Sequence, residues 1–175
     1  MAIREVIGVQ IALSSADTHP LEMTTSARPV TPDWGLALGI SSAGFAARAF
    51  TGDRRSLESI RRFTREVLSA WGLTALTDDM TTVVSELVTN ALRHALEGRE
   101  QAPGKAWLGM LRTGGALVCA VADPDPSPPL PQAPGPLAED GWGLRIVDAL
   151  TSQWGYCETD SHGKAVWARI ALPSI

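Results

Sequence analysis

The stretch SELVTNALRHA, residues 85–95, places a carboxylate, Glu86, and an amide, Asn90, one turn apart on the polar side of a predicted helix. Apolar residues recur on the opposite face at about 100° per residue: Val84, Leu87, Val88, Ala91 and Ala95. Asparagine is a poor residue for a helix interior, because its amide competes for backbone hydrogen bonds. The presence of Asn90 at this position therefore indicates a role other than helix formation.

Glu86 and Asn90 together suit phosphoryl transfer from a nucleotide. Mg²⁺ prefers octahedral oxygen ligands and usually takes only one or two from the protein, while substrate phosphates and water supply the rest. The neutral amide of Asn90 is sufficient as such a ligand and leaves the charge of the metal for the phosphates. Glu86 is placed to accept a proton from an attacking hydroxyl group or water. Taken alone, such a pair is more often just the solvated side of an amphipathic helix.

Length and composition predict one compact domain without nucleic acid or membrane as a partner. The chain has 175 residues, of which 45% are hydrophobic, and a formal net charge of -4, which provides no basic surface for a duplex. It contains no run of about 18 apolar residues, and its N-terminus lacks the pattern of a signal peptide. Cys119 and Cys157 have no C-x-x-C spacing, so we expect reduced thiols in a cytoplasmic protein.

Two helices are predicted in the first half of the domain. The first has Ser56 as its N-cap and ends at Gly72. Its outer face is basic, which favours either a solvated surface or a docking surface for an acidic partner. That face carries Arg54, Arg55, Arg61, Arg62 and Arg65. The second helix is predicted from about Asp78 to Leu96 and contains the opening stretch.

The remaining segments predict strands around a long loop. A strand at Phe45–Phe50 precedes the first helix, and two later strands form a hairpin about Gly114–Gly115. Between Pro124 and Pro136 the chain holds 7 of its 12 prolines, which excludes a regular helix and predicts a lid-like loop. A third helix and two final strands follow this loop.

This order of segments predicts an α+β fold, a two-layer sandwich with the helices on one face of a mixed, mostly antiparallel sheet. We assign it to residues 44–175. Residues 1–43 are interpreted as an N-terminal extension of undecided structure: a tail, an extra strand, for which Val6–Leu13 is the candidate, or part of a dimer interface.

Three further positions extend the candidate site. Asp123 ends a predicted strand beside the proline-rich loop, where a buried carboxylate accepts a hydrogen bond from the adenine amino group and repels the guanine carbonyl oxygen. Gly141 and Gly143 bracket Trp142 at a predicted helix start, where backbone amides can approach phosphates. Simpler alternatives remain: a turn at Asp123, hinges at the glycines, and core packing for the tryptophans at 71, 107, 154 and 167.

Together these segments resemble the histidine-kinase-like ATPase domain with the Bergerat ATP-binding fold, in particular the small anti-sigma-factor serine/threonine kinases of bacteria. SELVTNALRHA resembles the N-box, VADPDPSPP the box with the adenine-binding aspartate, EDGWGLRIVDALTSQWG the glycine box and GKAVWARIAL the closing strand. The resemblance implies Glu86 as general base, Asn90 as Mg²⁺ ligand and Asp123 as adenine ligand. It also implies further nucleotide-binding residues: Arg93, Gly141, Trp142, Gly143 and Leu144.

The resemblance covers roughly residues 45–172 and implies a cytoplasmic, usually dimeric regulator of transcription that binds ATP and Mg²⁺. Such proteins sequester a sigma factor, and many phosphorylate a serine or threonine on an anti-sigma factor antagonist. The alternative is a non-catalytic module that sequesters its partner and has a degenerate ATP pocket. A detached histidine-kinase catalytic domain is disfavoured, because none of His19, His94 and His162 has the context of a phospho-accepting histidine.

Three departures from the family pattern bear on catalysis. Prolines replace glycines after Asp123, Trp142 stands where many relatives carry an arginine, and Ala165 stands where a threonine is common. Residues 124–140 contain no lysine or arginine, so Arg93 and Arg145 are the candidates for the cation that phosphoryl transfer requires.

Overall fold

An antiparallel sheet with helices on one face forms the part of the chain that the computed structural model describes, residues 40–42, 44–53, 55–96, 104–129, 142–159 and 163–172. The six strands lie in the order β1-β2-β3-β4-β6-β5, and each neighbouring pair is antiparallel. They are β1 Ile40–Ser42, β2 Phe45–Thr51, β3 Lys105–Arg112, β4 Ala116–Asp123, β5 Gln153–Glu158 and β6 Lys164–Ala171.

In the described part of the chain, three α-helices accompany the sheet: α1 Ser56–Ala70, α2 Thr77–Ala91 and α3 Gly143–Leu150. A short 3₁₀ turn, Thr74–Leu76, leads into α2, and a π-helical turn, Leu92–Leu96, continues it. The predicted α+β fold with its helices on one face is confirmed. The candidate strand at Val6–Leu13 lies outside the described residues, and β1 was not predicted.

α2 occupies the centre of the helical layer. It packs against α1, α3 and β4. Its apolar face, which includes Met80, Val84 and Val88, is fully buried in the same core cluster as Ile60 of α1 and Val121 of β4. Because that face is held in the core, the opposite edge of α2 can present polar groups at a fixed height above the sheet.

The other face of the sheet carries a smaller apolar cluster. Phe45, Val118 and Trp167 are buried there, together with the small residues Ala47 and Ala120. Strand β4 is buried along nearly its whole length and contributes to both clusters. This explains its continuous apolar sequence, which lacks the alternation of a half-exposed strand.

Gly72 ends α1 as predicted. It has φ +69, and the amides of Gly72 and Leu73 donate to the carbonyls of Ser69 and Leu68. This is the Schellman pattern, in which the left-handed residue allows the last helical carbonyls to be satisfied. The start of α1 differs from the prediction, because Ser56 is the first helical residue and makes no side-chain cap. Instead, Asp53 Oδ1 accepts from the Arg55 amide at 2.8 Å.

Candidate functional site

The N-terminus of α3 lies directly against the polar edge of α2. A Cβ atom placed on Gly143 would stand 2.8 Å from Glu86 Oε2 and 3.8 Å from Asn90 Nδ2. Any side chain larger than hydrogen at position 143 would therefore displace the Glu86 carboxylate, and it would stand in ordinary van der Waals contact with the Asn90 amide. The structure thus brings together Glu86, Asn90 and Gly143, which the sequence predicted from two separate motifs.

Glu86 and Asn90 are both half-buried, and neither side chain makes a hydrogen bond to any part of the chain that the structure describes. A carboxylate and an amide kept at the boundary of the core retain their full capacity to accept from a ligand. Ser85, beside Glu86, is different: its hydroxyl accepts from Arg61 Nε at 2.8 Å and donates to the Thr81 carbonyl at 2.6 Å. One of the arginines on the basic face of α1 therefore holds α2 in place.

Trp142 precedes α3 and is 48% exposed. The guanidinium carbon of Arg145 lies 5.0 Å from the centre of its ring, within the range of a cation–π contact. Arg145 is exposed, and its contact with Trp142 holds the guanidinium group at the same end of α3 as Gly143. Leu144 has its side chain in the core, so a contact with a ligand there would use its backbone amide.

Asp123 is buried at the end of β4, opposite Lys164 in the register with β6. Lys164 Nζ donates to Asp123 Oδ1 at 3.0 Å, to the Asp125 carbonyl at 2.9 Å and to Asp125 Oδ2 at 3.2 Å. The Asp125 amide also donates to Asp123 Oδ1, at 2.9 Å. Asp123 therefore does begin a turn, as the simpler alternative held, and it is at the same time a buried, charge-paired acid.

The two acids of this group have opposite pKa shifts. Burial raises the pKa of Asp123 above its usual value of 3.8, although hydrogen bonds from the Asp125 amide and from Lys164 oppose this. For Asp125, desolvation also acts upwards, but hydrogen bonds from Ser127 and Lys164 together outweigh it and lower the pKa. Asp125 thus carries a full negative charge near neutral pH, beside an ammonium group that it shares with Asp123.

Backbone packing fixes the position of Asp123. A Cβ on Gly163 would collide with the Asp123 carbonyl oxygen and lie 3.0 Å from Pro124 Cα. A Cβ on Gly104 would lie 2.8 Å from Leu96 Cδ2, at the end of the π turn, and 3.8 Å from Pro124 Cγ. The turn after β4 is therefore enclosed by the start of β6 on one side and by the approach to β3 on the other.

The other predicted site residues lie as follows. Arg93 and His94 are exposed on the π turn that continues α2. Gly141 and residues 130–140 of the proline-rich loop lie outside the described residues. Trp71 and Trp167 are buried, as expected of core tryptophans, whereas Trp107 and Trp154 are half-buried.

Sequence reasoning missed Lys164 and Gly163. Lys164 is opposite Asp123 in the register between β4 and β6, and Gly163, just before β6, packs against the backbone of Asp123. These contacts join two segments far apart in the sequence, so only the folded structure reveals them. One signal was present: a lysine directly after a glycine, at the start of a strand that continues with the apolar run at residues 165–168. A buried lysine requires an acidic partner, and Asp123 and Asp125 are acids at the end of another apolar strand.

The described residues include no helix long and apolar enough to cross a membrane. Within them, no group of three or more His, Cys, Asp or Glu side chains is arranged to hold a metal ion.

Comparison with known proteins identifies the fold. A model of the histidine kinase-like ATPase domain matches residues 50–170. Among solved structures, the chain is similar to the RsbU and RsbW domains of Rv1364c from Mycobacterium tuberculosis, with a TM-score of 0.52 and 19% identity. That similarity covers 73% of this chain and 33% of the other, so this chain spans about a third of the length of the solved one. No curated protein matches the chain.

Proposed function

The chain belongs to the histidine kinase-like ATPase domain family, and on that premise we propose that it binds ATP with Mg²⁺ and is an anti-sigma-factor-type serine/threonine kinase. Its protein substrate would be an anti-sigma factor antagonist, and its second partner a sigma factor. The observation that carries the proposal is the contact between the start of α3 and α2, where Gly143 leaves room for Glu86 and Asn90. The carboxylate proposed as the base and the amide proposed as the metal ligand both lie beside this glycine.

The residues present fit a magnesium nucleotide. Within the described residues no cluster of acids or histidines could hold a metal without help, so Asn90 would need phosphate oxygens and water as co-ligands. Mg²⁺ accepts that arrangement readily. When bound, the Mg²⁺ ion would neutralise part of the negative charge of the phosphates. Asn90 makes no side-chain hydrogen bond in the described part of the chain, so its amide oxygen is available without loss of a structural contact.

The remaining residues take complementary roles in the proposal. Glu86 accepts the proton of the attacking serine or threonine hydroxyl, and Asp123 accepts from the adenine amino group. The backbone around Gly143 and Leu144, with Gly141 and Trp142, approaches the phosphates at the N-terminus of α3. Arg145, held beside Trp142, and Arg93 on the π turn are the cations proposed to face the transferred phosphoryl group.

Nucleotide binding is the first point to test. Calorimetric titration of ATP and ADP, with and without Mg²⁺, should show binding to the wild type that depends on Mg²⁺. Asp123→Asn should lose most of the ATP affinity, because its amide presents a donor where an acceptor is needed. Asn90→Ala should retain binding but lose its dependence on Mg²⁺. Absence of ATP binding to the wild type would refute the proposal.

Phosphoryl transfer is tested separately, with radiolabelled ATP and candidate antagonist proteins from the same genome. Glu86→Gln should lower the rate of transfer by about 10²- to 10⁴-fold while ATP binding persists. Glu66→Gln on the exposed side of α1 is the matched control and should transfer at the wild-type rate. Equal rates in all three proteins would exclude Glu86 as the base.

A second candidate function is supported by Trp142. An exposed aromatic side chain stands where an arginine is common, and residues 124–140 carry no basic residue. Both features favour a module that binds ATP and sequesters a partner without transferring phosphate. In that case Glu86→Gln would change neither labelling nor partner binding, whereas Trp142→Ala would weaken partner binding.

The proposal also includes a cytoplasmic location and a homodimer as the working state, both carried over from the family resemblance. Size-exclusion chromatography with light scattering on the full chain distinguishes dimer from monomer. A molar mass near twice 18.6 kDa would support the dimer, and one near 18.6 kDa would contradict it.

A further inference from the structure

Lys164 makes a closed set of contacts at the place where the base would bind. Its ammonium group has three donors, and three acceptors lie within 3.2 Å: Asp123 Oδ1, the Asp125 carbonyl and Asp125 Oδ2. The side chain of Lys164 is only 7% exposed. Burying a cation costs free energy unless its partners satisfy it fully, and here they do.

The two carboxylate oxygens of Asp123 differ in their hydrogen bonds. Oδ1 accepts from both Lys164 and the Asp125 amide. No described residue donates to Oδ2. The carboxylate is thus held at one oxygen, with the other left as the single acceptor that a ligand could use.

We propose that Lys164 is a positioning residue for base selection: it anchors Asp123 through Oδ1 so that Oδ2 remains an ionised, fixed acceptor for the amino group of adenine. This inference rests on the proposed ATP binding. Lys164 acts through Asp123 and touches no nucleotide itself, because all its donors are already used. A guanine or hypoxanthine carbonyl would meet the carboxylate Oδ2 with no donor available from Lys164, which excludes those bases.

Removal of the ammonium group reverses that selection. Lys164→Met retains the length of the side chain but leaves Asp123 buried without a cation, so the carboxyl group becomes protonated more easily. A protonated carboxyl group can donate to a carbonyl oxygen, which is what inosine triphosphate presents in place of the adenine amino group. The variant should therefore lose ATP affinity and gain tolerance of inosine triphosphate.

Calorimetry with ATP and inosine triphosphate on the full chain tests this. The wild type should prefer ATP by about tenfold or more, and Lys164→Met should reduce that ratio at least tenfold, as expected for loss of a charged hydrogen bond. Lys164→Arg, which retains charge and donors, should recover part of the preference. Lys105→Met, an exposed lysine at the start of β3, is the matched control and should keep the wild-type ratio.

The pH profile separates positioning from a purely structural role. Among described residues, the charged groups facing Asp123 are Lys164 and Asp125, and Glu158 of β5 lies opposite Lys164 but is exposed. The loss of ATP binding at acid pH should move to higher pH in Lys164→Met. It should move to lower pH in Asp125→Asn, because the negative charge of Asp125 raises the pKa of Asp123. A structural defect would not produce opposite shifts, and the titration of ATP itself is common to all variants.

The outcomes distinguish the inference from the function on which it rests. A wild type that does not bind ATP overturns both. A wild type that prefers ATP, with Lys164→Met retaining its preference and its pH profile, overturns the inference alone. If Lys164→Met does not fold, Lys164→Arg decides, because its planar guanidinium retains the charge but holds its donors in a different geometry. A full wild-type preference for ATP in Lys164→Arg, with an unchanged pH profile, contradicts the positioning role of Lys164.

Discussion

At the scale of single residues, the candidate site depends on a missing side chain. Glu86 and Gly143 come from distant segments, and their contact exists because position 143 has no Cβ. The atom nearest to a Cβ at position 143 is Glu86 Oε2, at the end of a flexible side chain. A methyl group at position 143 would therefore displace the carboxylate and leave the backbone in place. The glycine therefore keeps the proposed base where the N-terminus of α3 meets it.

Gly143→Ala should separate activity from stability. The added methyl group moves Glu86, so we expect a loss of phosphoryl transfer approaching that of Glu86→Gln, about 10²-fold or more. The free energy of unfolding should change by less than about 1 kcal/mol, because alanine is also the better helix former. Gly114→Ala, where a Cβ meets nothing within 4 Å, is the control for both measurements. Full transfer activity in Gly143→Ala would contradict the role assigned to this contact.

Gly163→Ala, in contrast to Gly143→Ala, should lower the stability of the fold. Its Cβ would meet the backbone of Asp123 and Pro124, which cannot yield as a side chain does. We expect a loss of about 1–3 kcal/mol in the free energy of unfolding, as for other overpacked sites, together with weaker ATP binding. Urea denaturation beside Gly115→Ala, which has open space around it, measures the first effect. Wild-type stability in the Gly163 variant would show that β4 and β6 can separate at this end.

At the level of residues, the sequence predicts which side chains lie together where one motif contains its own geometry. Glu86 and Asn90 share a helix edge, so helical spacing alone indicated that they act together. Lys164 escaped notice because its partner Asp123 is 41 positions away and is identified only by strand register. The roles proposed for these residues stay predictions, since their chemistry depends on a ligand.

At the scale of elements, the three α-helices and five of the six strands among the described residues follow from apolar periodicity. β1 was not predicted, because a three-residue strand is too short to show an alternating pattern. The widening of α2 into a π turn at Leu92–Leu96 was also not predicted. Such turns frequently occur at functional sites, and this one begins two residues after Asn90 and carries Arg93.

The end of α1 gives a test of element-level strain. Gly72 has open space around it, so only its φ of +69 opposes a side chain. Gly72→Ala should lower the free energy of unfolding by about 1–2 kcal/mol, the cost of a left-handed alanine. Gly114→Ala, equally open but without that φ, should change it much less. Thermal unfolding of the two variants under identical conditions makes the comparison. Equal losses of unfolding free energy would mean that the end of α1 relaxes to accept the alanine without strain.

At the scale of the whole molecule, the strand β4 is buried on both faces of the sheet, whereas the candidate site is built from the polar edge of α2, the start of α3 and the end of β4. The larger cluster fixes α2 on the sheet, and the smaller cluster occupies the opposite face. β4 joins the two, since its residues alternate between them, and it ends at Asp123. The strand that connects the two faces of the core therefore also positions the proposed base-reading acid, so damage to the core should reach the site through β4.

The ionisation of Cys119, in the middle of β4, indicates whether water reaches the larger core cluster. Burial raises the pKa of its thiol from 9.0 to about 12, whereas in the unfolded chain the thiol ionises near its ordinary value. Between those two pH values the unfolded state gives up a proton that the folded state keeps. The contribution of Cys119 to stability should therefore be constant below pH 9 and decline as pH rises above it, by up to about 1.4 kcal/mol per pH unit.

Urea denaturation of Cys157→Ser and of Cys119→Ala/Cys157→Ser, between pH 7 and pH 10.5, isolates this effect. Other alkaline titrations are common to both proteins, so the difference between their unfolding free energies belongs to Cys119. It should fall only above pH 9. A difference independent of pH would mean that the thiol ionises equally in both states, and hence that water reaches the centre of β4 in the folded protein. Since β4 carries both clusters and ends at Asp123, that result would also remove the rigid support assumed for the base-binding end of the site.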